Sequence, residues 1–130
     1  MFHIMVHAHA GDLEASLAFY RNLHFVVHAD DVDGEGTRCL RLTNQHVPGV
    51  LLNLKNAPYL AGVPLIDPNV PPPTWPVTFA LVVDDYSGWL RRLEEAHIEL
   101  ESELIEPWGV WLHFRDPSGN RLCITTNDLY

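Results

Sequence analysis

Hydrophobic and polar residues alternate one by one near the start of the chain: Ile4, Val6, Ala8 and Ala10 share one side, His3, Met5, His7 and His9 the other. A period of two is that of a β-strand. From Gly11 the period changes. Leu13, Leu17 and Tyr20, with Ala18 and Phe19, recur at helical spacing, and Asp12 is placed to cap a helix whose first turn holds Glu14. This helix is expected to end near Arg21 and Asn22. Three strands should follow, at Phe25 to Ala29, Thr37 to Leu42 and Val50 to Leu54, with the acidic run Asp30 to Glu35 at a hairpin tip. The first half therefore reads β-α-β-β-β.

Residues 57 to 76 carry seven of the ten prolines, among them Pro71-Pro72-Pro73 and Pro76, so no regular element can run through them. Beyond this break the order repeats: a strand at Val77 to Val83, a helix at Tyr86 to Ala96, and strands at Ile98 to Leu104, Val110 to Phe114 and Arg121 to Thr125. Asp116-Pro117-Ser118-Gly119-Asn120 has the composition of a tight turn between the last two strands. The chain is in effect written twice. We expect one domain over residues 1–130, divided into a first module (1–56), a proline-rich connector (57–76) and a second module (77–130). The fold class is α+β, and two similar halves usually enclose a cavity suited to a small molecule.

At 130 residues the chain can bury a core without disulfide or metal staples. Cys39 and Cys123 read as free thiols: no basic leader precedes the first strand, no apolar run is long enough to span a membrane, and a cytoplasmic protein is the simplest expectation. A formal charge of -9 argues against nucleic acid as a partner, because phosphate recognition needs a basic face. No glycine-rich phosphate loop or serine nucleophile elbow appears, and Glu94-Glu95 reads as a solvated helix face.

Two motifs carry a family resemblance. Asp12-Leu13-Glu14-Ala15-Ser16-Leu17-Ala18-Phe19-Tyr20 resembles the helix start of the vicinal oxygen chelate superfamily, and Asp116-Pro117-Ser118-Gly119-Asn120 resembles its late Asp-Pro-x-Gly-Asn turn. That superfamily includes glyoxalase I, extradiol dioxygenases, fosfomycin-modifying enzymes and bleomycin-resistance proteins. One departure is Leu23-His24-Phe25, where the family usually has Gly in place of His24. The resemblance implies two βαβββ modules with cupped mixed sheets, helices on the convex side, and completion of the cups in a homodimer.

The resemblance also locates the places where metal-dependent members hold their ion. Here they are occupied by Met5, Asn53, Thr78 and Cys123. Thioether, amide, hydroxyl and thiol are a poor set for Mg, Mn, Fe or Ni, which prefer carboxylate and imidazole. A shifted site using His7, His9 or His113 would find no carboxylate partner on the other strands. The expectation is therefore no metal, no cofactor and no catalytic residue.

Strand parity assigns the lining instead. Val110, Leu112 and Phe114 share the core parity, which leaves Trp111, His113 and Arg115 on the other face, and Glu106-Pro107-Trp108-Gly109 resembles the lead-in to this strand in bleomycin-resistance proteins. The same bookkeeping adds Val26, His28, Cys39, Arg41, Thr78, Ala80 and Val82, while Trp75 and Trp89 are left to the connector and to a helix surface or interface. The expected ligand-binding residues are His7, His9, Asn53, Trp108, Trp111, His113 and Cys123. The expected function is metal-free sequestration of a planar or aromatic antibiotic or related metabolite. Alternatives are a glyoxalase-, dioxygenase- or thiol-transferase-like enzyme with relocated His ligands, and a biosynthetic accessory or carrier protein.

Overall fold

The computed structural model describes residues 3–61 and 69–126, so part of the connector and the last four residues lie outside the described residues. The elements are β1 (Ile4–His9), α1 (Leu13–Asn22), β2 (Phe25–Val32), β3 (Arg38–Asn44), β4 (Val50–Lys55), β5 (Phe79–Val82), α2 (Tyr86–Glu95), β6 (Leu100–Glu106), β7 (Gly109–Arg115) and β8 (Arg121–Thr126). Residues 57 to 76 also hold two short 3₁₀ turns, at Pro58–Leu60 and Pro72–Thr74, each with proline where a helix start lacks an N–H acceptor. The chain divides into two compact units, Met1–Gly62 and Val63–Tyr130.

Both units use one plan. In the first, the sheet order is β1-β4-β3-β2; in the second it is β5-β8-β7-β6. Each pairs its first and last strands in parallel and the rest antiparallel, giving a mixed four-stranded sheet. Each has a bulge on the strand after its helix, between Val27 and Ala29 in β2 and between Leu100 and Ser102 in β6.

The local reasons repeat as well. Asp12 Oδ1 accepts the Ala15 N–H at 3.1 Å to cap α1, and Asp85 Oδ1 accepts the Gly88 N–H at 3.0 Å to cap α2. A Cβ at Gly88 would collide with the Asp85 carboxylate, which ties that glycine to the cap. α1 buries Ser16, Leu17 and Tyr20; α2 buries Gly88, Trp89 and Leu93. Beneath them lie Ala8, Leu40, Leu42, Leu52 and Leu54 in the first unit, and Phe79, Leu81, Leu112, Phe114, Leu122 and Ile124 in the second.

Two expectations are corrected. Trp89, left to a helix surface or interface, is 1% exposed within this chain and sits four residues before Leu93, on the stripe that α2 turns to its sheet. The acidic run does not begin at the hairpin tip: Asp30 and Asp31 pair with Leu40 and Cys39 within the ladder. The turn itself is built on Asp33, whose Oδ1 accepts the N–H groups of Glu35 and Thr37. Those bonds hold the Asp33 carboxyl below its usual range, with the nearby Lys55 ammonium adding to the effect. The Asp116 turn forms as expected, with Asp116 Oδ1 accepting from Ser118 N and Asn120 N, and Gly119 taking a left-handed backbone at φ 86°.

Candidate functional site

The helix-free faces of the two sheets hold the expected ligand-binding residues except Trp108, which stands at a turn. In the first unit one rung across the sheet runs His7, Asn53, Arg41, Ala29, and the next begins His9, Lys55, Cys39. Asn53 Nδ2 donates to His7 Nδ1 at 3.0 Å, which places the proton of a neutral His7 ring on Nε2. His7 is exposed; Asn53 is 6% exposed, and its Oδ1 is buried with no partner among the described residues. His9 has a structural bond: its Nδ1 accepts the Ala57 N–H at 3.0 Å, fixing the chain as it leaves β4. Met5 faces Leu51 rather than Asn53 across the parallel pair. Val26, His28 and Arg41 are exposed on this sheet, with His28 at the β2 bulge, whereas Cys39 is buried and its thiol contacts the Thr37 carbonyl.

The helix-free face of the second unit is aromatic. Its rungs run Ala80, Cys123, His113, Ser102 and Val82, Thr125, Trp111, Leu104. Trp111 is half-buried, and its ring lies over Gly109: a Cβ at Gly109 would stand 3.2 Å from the indole and 3.0 Å from the Thr126 carbonyl. The small residue lets the large one lie flat against the backbone. Trp108, by contrast, stands at the turn between β6 and β7 and is 61% exposed.

His113 is 1% exposed because Trp75 from the connector covers it, with ring centroids 5.0 Å apart at 53°. Trp75 is held there by its own Nε1–H, which donates to the Val70 carbonyl at 2.9 Å. Behind it Arg121, wholly buried, lies 5.8 Å from the Trp75 ring, gives Nη1–H to the Pro76 carbonyl and Nε–H to Glu101 Oε1. Burial, helped by the Arg121 charge and opposed by Glu101, lowers the His113 pKa, so the ring is neutral at pH 7. Its Nδ1 has no partner among the described residues. Burial tends to raise the Glu101 carboxyl, but hydrogen bonds from Arg121 and Arg115 outweigh it and leave its pKa lowered.

Sequence reasoning placed His113 and Trp111 correctly by parity but missed Trp75 and Arg121. The available signal was Trp75-Pro76 inside a proline run: an indole that a rigid strap can press against a sheet. Arg121 carries the strand parity of Cys123, and a cation at that position needs an acceptor, which the bulge at Glu101 supplies.

The four positions aligned with the family's metal site do not suit an ion. Burial pushes the Cys123 thiol up to about 11, so it stays protonated and is a weak ligand and a weak nucleophile at neutral pH. Thr78 Oγ1 points to Asn120 Oδ1 at 3.4 Å, Asn53 is engaged with His7, and Met5 offers a part-exposed thioether. Among the described residues no three His, Cys, Asp or Glu side chains converge on one point.

Two βαβββ units, each with one capped helix on one face of a mixed sheet, define the class of fold. The chain belongs to the Glyoxalase/Bleomycin resistance protein/Dioxygenase superfamily, whose family model matches residues 2–124. Among curated proteins no sequence matches significantly. Similar solved structures include UcmS2 (24% identity, TM-score 0.70, covering 96% of this chain and 97% of that one). TnmS3, an antibiotic binding protein from Streptomyces sp. CB03234, is 20% identical with TM-score 0.70, covering 98% and 97%. A bleomycin-binding protein complexed with bleomycin is 17% identical with TM-score 0.70, covering 98% and 100%. At these identities the likeness is one of fold. The family spans enzymes and resistance proteins alike, and the choice between them rests on the site.

Proposed function

We propose that this protein binds a planar aromatic small molecule of antibiotic type and holds it without making or breaking a bond. The observation that carries the reading is the aromatic, uncharged surface formed by Trp111, His113 and Trp75 on the second unit, where a buried imidazole nitrogen stands unpartnered beneath an indole. A buried polar atom without a partner costs on the order of 1–3 kcal/mol, which a ligand group that displaced Trp75 and reached that nitrogen would recover. Stacking on the indoles would add about 0.5–1.5 kcal/mol per ring beyond area burial. Asn53 Oδ1 offers a second unpartnered acceptor on the first unit, beside His7.

The donor set supports capture over catalysis. Cys123 is a protonated thiol, His113 is a neutral ring, and the residues at the family's ion positions are poor ligands. Capture works in the cytoplasm by stoichiometry, so micromolar to nanomolar affinity, roughly 8 to 12 kcal/mol, is enough. Two chains pair to complete the cups, and sedimentation analysis should return the mass of a dimer. The similar fold of an antibiotic binding protein and of a bleomycin-binding protein is consistent with this reading.

The test is a titration of the protein with planar antibiotics, following tryptophan fluorescence. Saturable quenching at one ligand per cup, with the ligand recovered unaltered, is expected. Turnover of the bound compound, or saturable binding that survives Trp111→Ala at full affinity, would overturn it.

A further inference from the structure

The first unit carries a second constellation, at the turns that lead into β2 and out of β3. α1 ends at Asn22, and the chain turns into β2 through Leu23 and His24; β3 ends at Asn44, and the chain turns into β4 through Gln45, His46 and Val47. Asn44, 2% exposed, joins the two turns. Its Nδ2 donates to the Leu23 carbonyl at 2.9 Å, and its Oδ1 accepts the His46 N–H at 2.9 Å. The Val47 N–H to Asn44 carbonyl bond closes the second turn. A buried amide bonded to both loops fixes their separation, and the result is an imidazole pair: His24 Nδ1 lies 3.2 Å from His46 Nε2, with ring centroids 5.4 Å apart and planes at 40°.

His24 is held in the left-handed backbone region at φ 73°, where most side chains are disfavoured. His97 takes a similar conformation after α2, so the backbone alone does not account for the pair. What differs is the second imidazole brought up beside the first. Both rings are exposed, and His24 borders an open cleft of about 670 Å³ with Arg21, Phe25, Val26, Val27 and Gln45.

We propose that His24 and His46 form a two-imidazole chelating site for a divalent transition metal of the Zn, Ni or Cu type. Two imidazole nitrogens at about 2.0–2.1 Å from a tetrahedral ion stand about 3.3 Å apart, close to the separation already present. Imidazole suits these metals and not Mg or Ca. In the metal-free pair one ring nitrogen donates its proton to the other. A neutral ring can carry that proton on its far nitrogen instead, which frees both facing lone pairs without net loss of a proton. Solvent water can fill the remaining positions of a tetrahedral ion. The Arg21 charge opposes a bare cation and favours a coordination shell completed by an anion. This site is independent of the proposed capture of an aromatic ligand.

The test is calorimetric titration of the full chain with Zn²⁺ and with Ni²⁺, in wild type and in His24→Asn, His46→Gln and His97→Asn. Asparagine tolerates the left-handed backbone, so His24→Asn should keep the fold, and far-UV circular dichroism checks both turn variants. One ion per chain is expected, with affinity at least tenfold weaker in His24→Asn and in His46→Gln and unchanged in His97→Asn. Equal affinity in wild type and both turn variants, or no binding to wild type, would overturn the proposal. If a turn variant misfolds, proton and carbon NMR shifts of the two imidazoles in the wild type on adding Zn²⁺ decide it: shifts confined to His24 and His46 support the site, and shifts elsewhere refute it.

Discussion

The two units share strand order, bulge position and helix cap, yet their helix-free faces have little in common. The first is polar and partly wet: His7 exposed and bonded to Asn53, Arg41 beside them in the same rung. The second is aromatic and covered: Trp111 against Gly109, His113 under Trp75, Arg121 buried behind. One backbone plan repeated therefore fixes where lining residues stand and leaves their chemistry free. Parity is imposed by the core, because a slip of one residue would bury the wrong set, but the outward-facing residues answer to no such constraint.

The contrast between the two faces of the second sheet can be broken by mutation. The largest effect should come from the helix side. Trp89→Ala removes a buried indole between α2 and its sheet and should cost about 3–5 kcal/mol of stability in chemical denaturation. A loss under 1 kcal/mol would mean that α2 is not packed as described. On the covered face, Glu101→Gln leaves Arg121 buried without its carboxylate and should cost about 1.5–3 kcal/mol. Because the Glu101 pKa is lowered in the fold, its contribution is present above the unfolded carboxyl pKa, near 4.5, and is lost as pH falls below it. The difference between wild type and Glu101→Gln should therefore shrink in acid; a constant difference would count against the ion pair.

Smaller effects separate binding from folding. Trp111→Ala should weaken binding of a planar ligand by about 0.5–1.5 kcal/mol, read by fluorescence titration, beyond the loss of buried area. His113 has a lowered pKa, so the unfolded chain takes up a proton first as pH falls through about 6.5. That part of the stability is full above this value and is lost below it, and His113→Gln should flatten the corresponding fall in Tm. An unchanged slope would remove His113 from the buried set. His7→Ala, which removes an exposed ring from a part-buried bond of the first unit and lets water reach Asn53, should change stability by about 1 kcal/mol at most.

Much of the fold was legible in the sequence because periodicity and capping are local. The eight strands, both helices, the Asp12 cap and the Asp116 turn all follow from residues within a few positions of one another. The misses are long-range. Whether Trp89 looks outward or inward depends on where α2 lies on its sheet, although its spacing from Leu93 was a readable hint. The cover of His113 by Trp75 depends on how a proline-rich strap folds back, and proline content states only that it is not a helix or strand. Parity found His7, Trp111 and His113, and the family resemblance Asn53, on helix-free faces. It did not foresee that His9 would be bonded to the Ala57 backbone or that Trp108 would stand in solvent, whereas the reading of Cys123 as a packed thiol rather than a nucleophile agrees with its burial.

The central claim is that the Trp111, His113 and Trp75 surface holds a planar ligand and leaves it intact. The most direct measurement is one sample carried through both halves of that claim: fluorescence titration with a planar antibiotic in wild type and Trp111→Ala, then mass analysis of the ligand released after prolonged incubation with wild type. Saturable binding that weakens in Trp111→Ala, with the released compound at its original mass, is the predicted result. A compound returned with altered mass, or affinity identical in the two proteins, would contradict it.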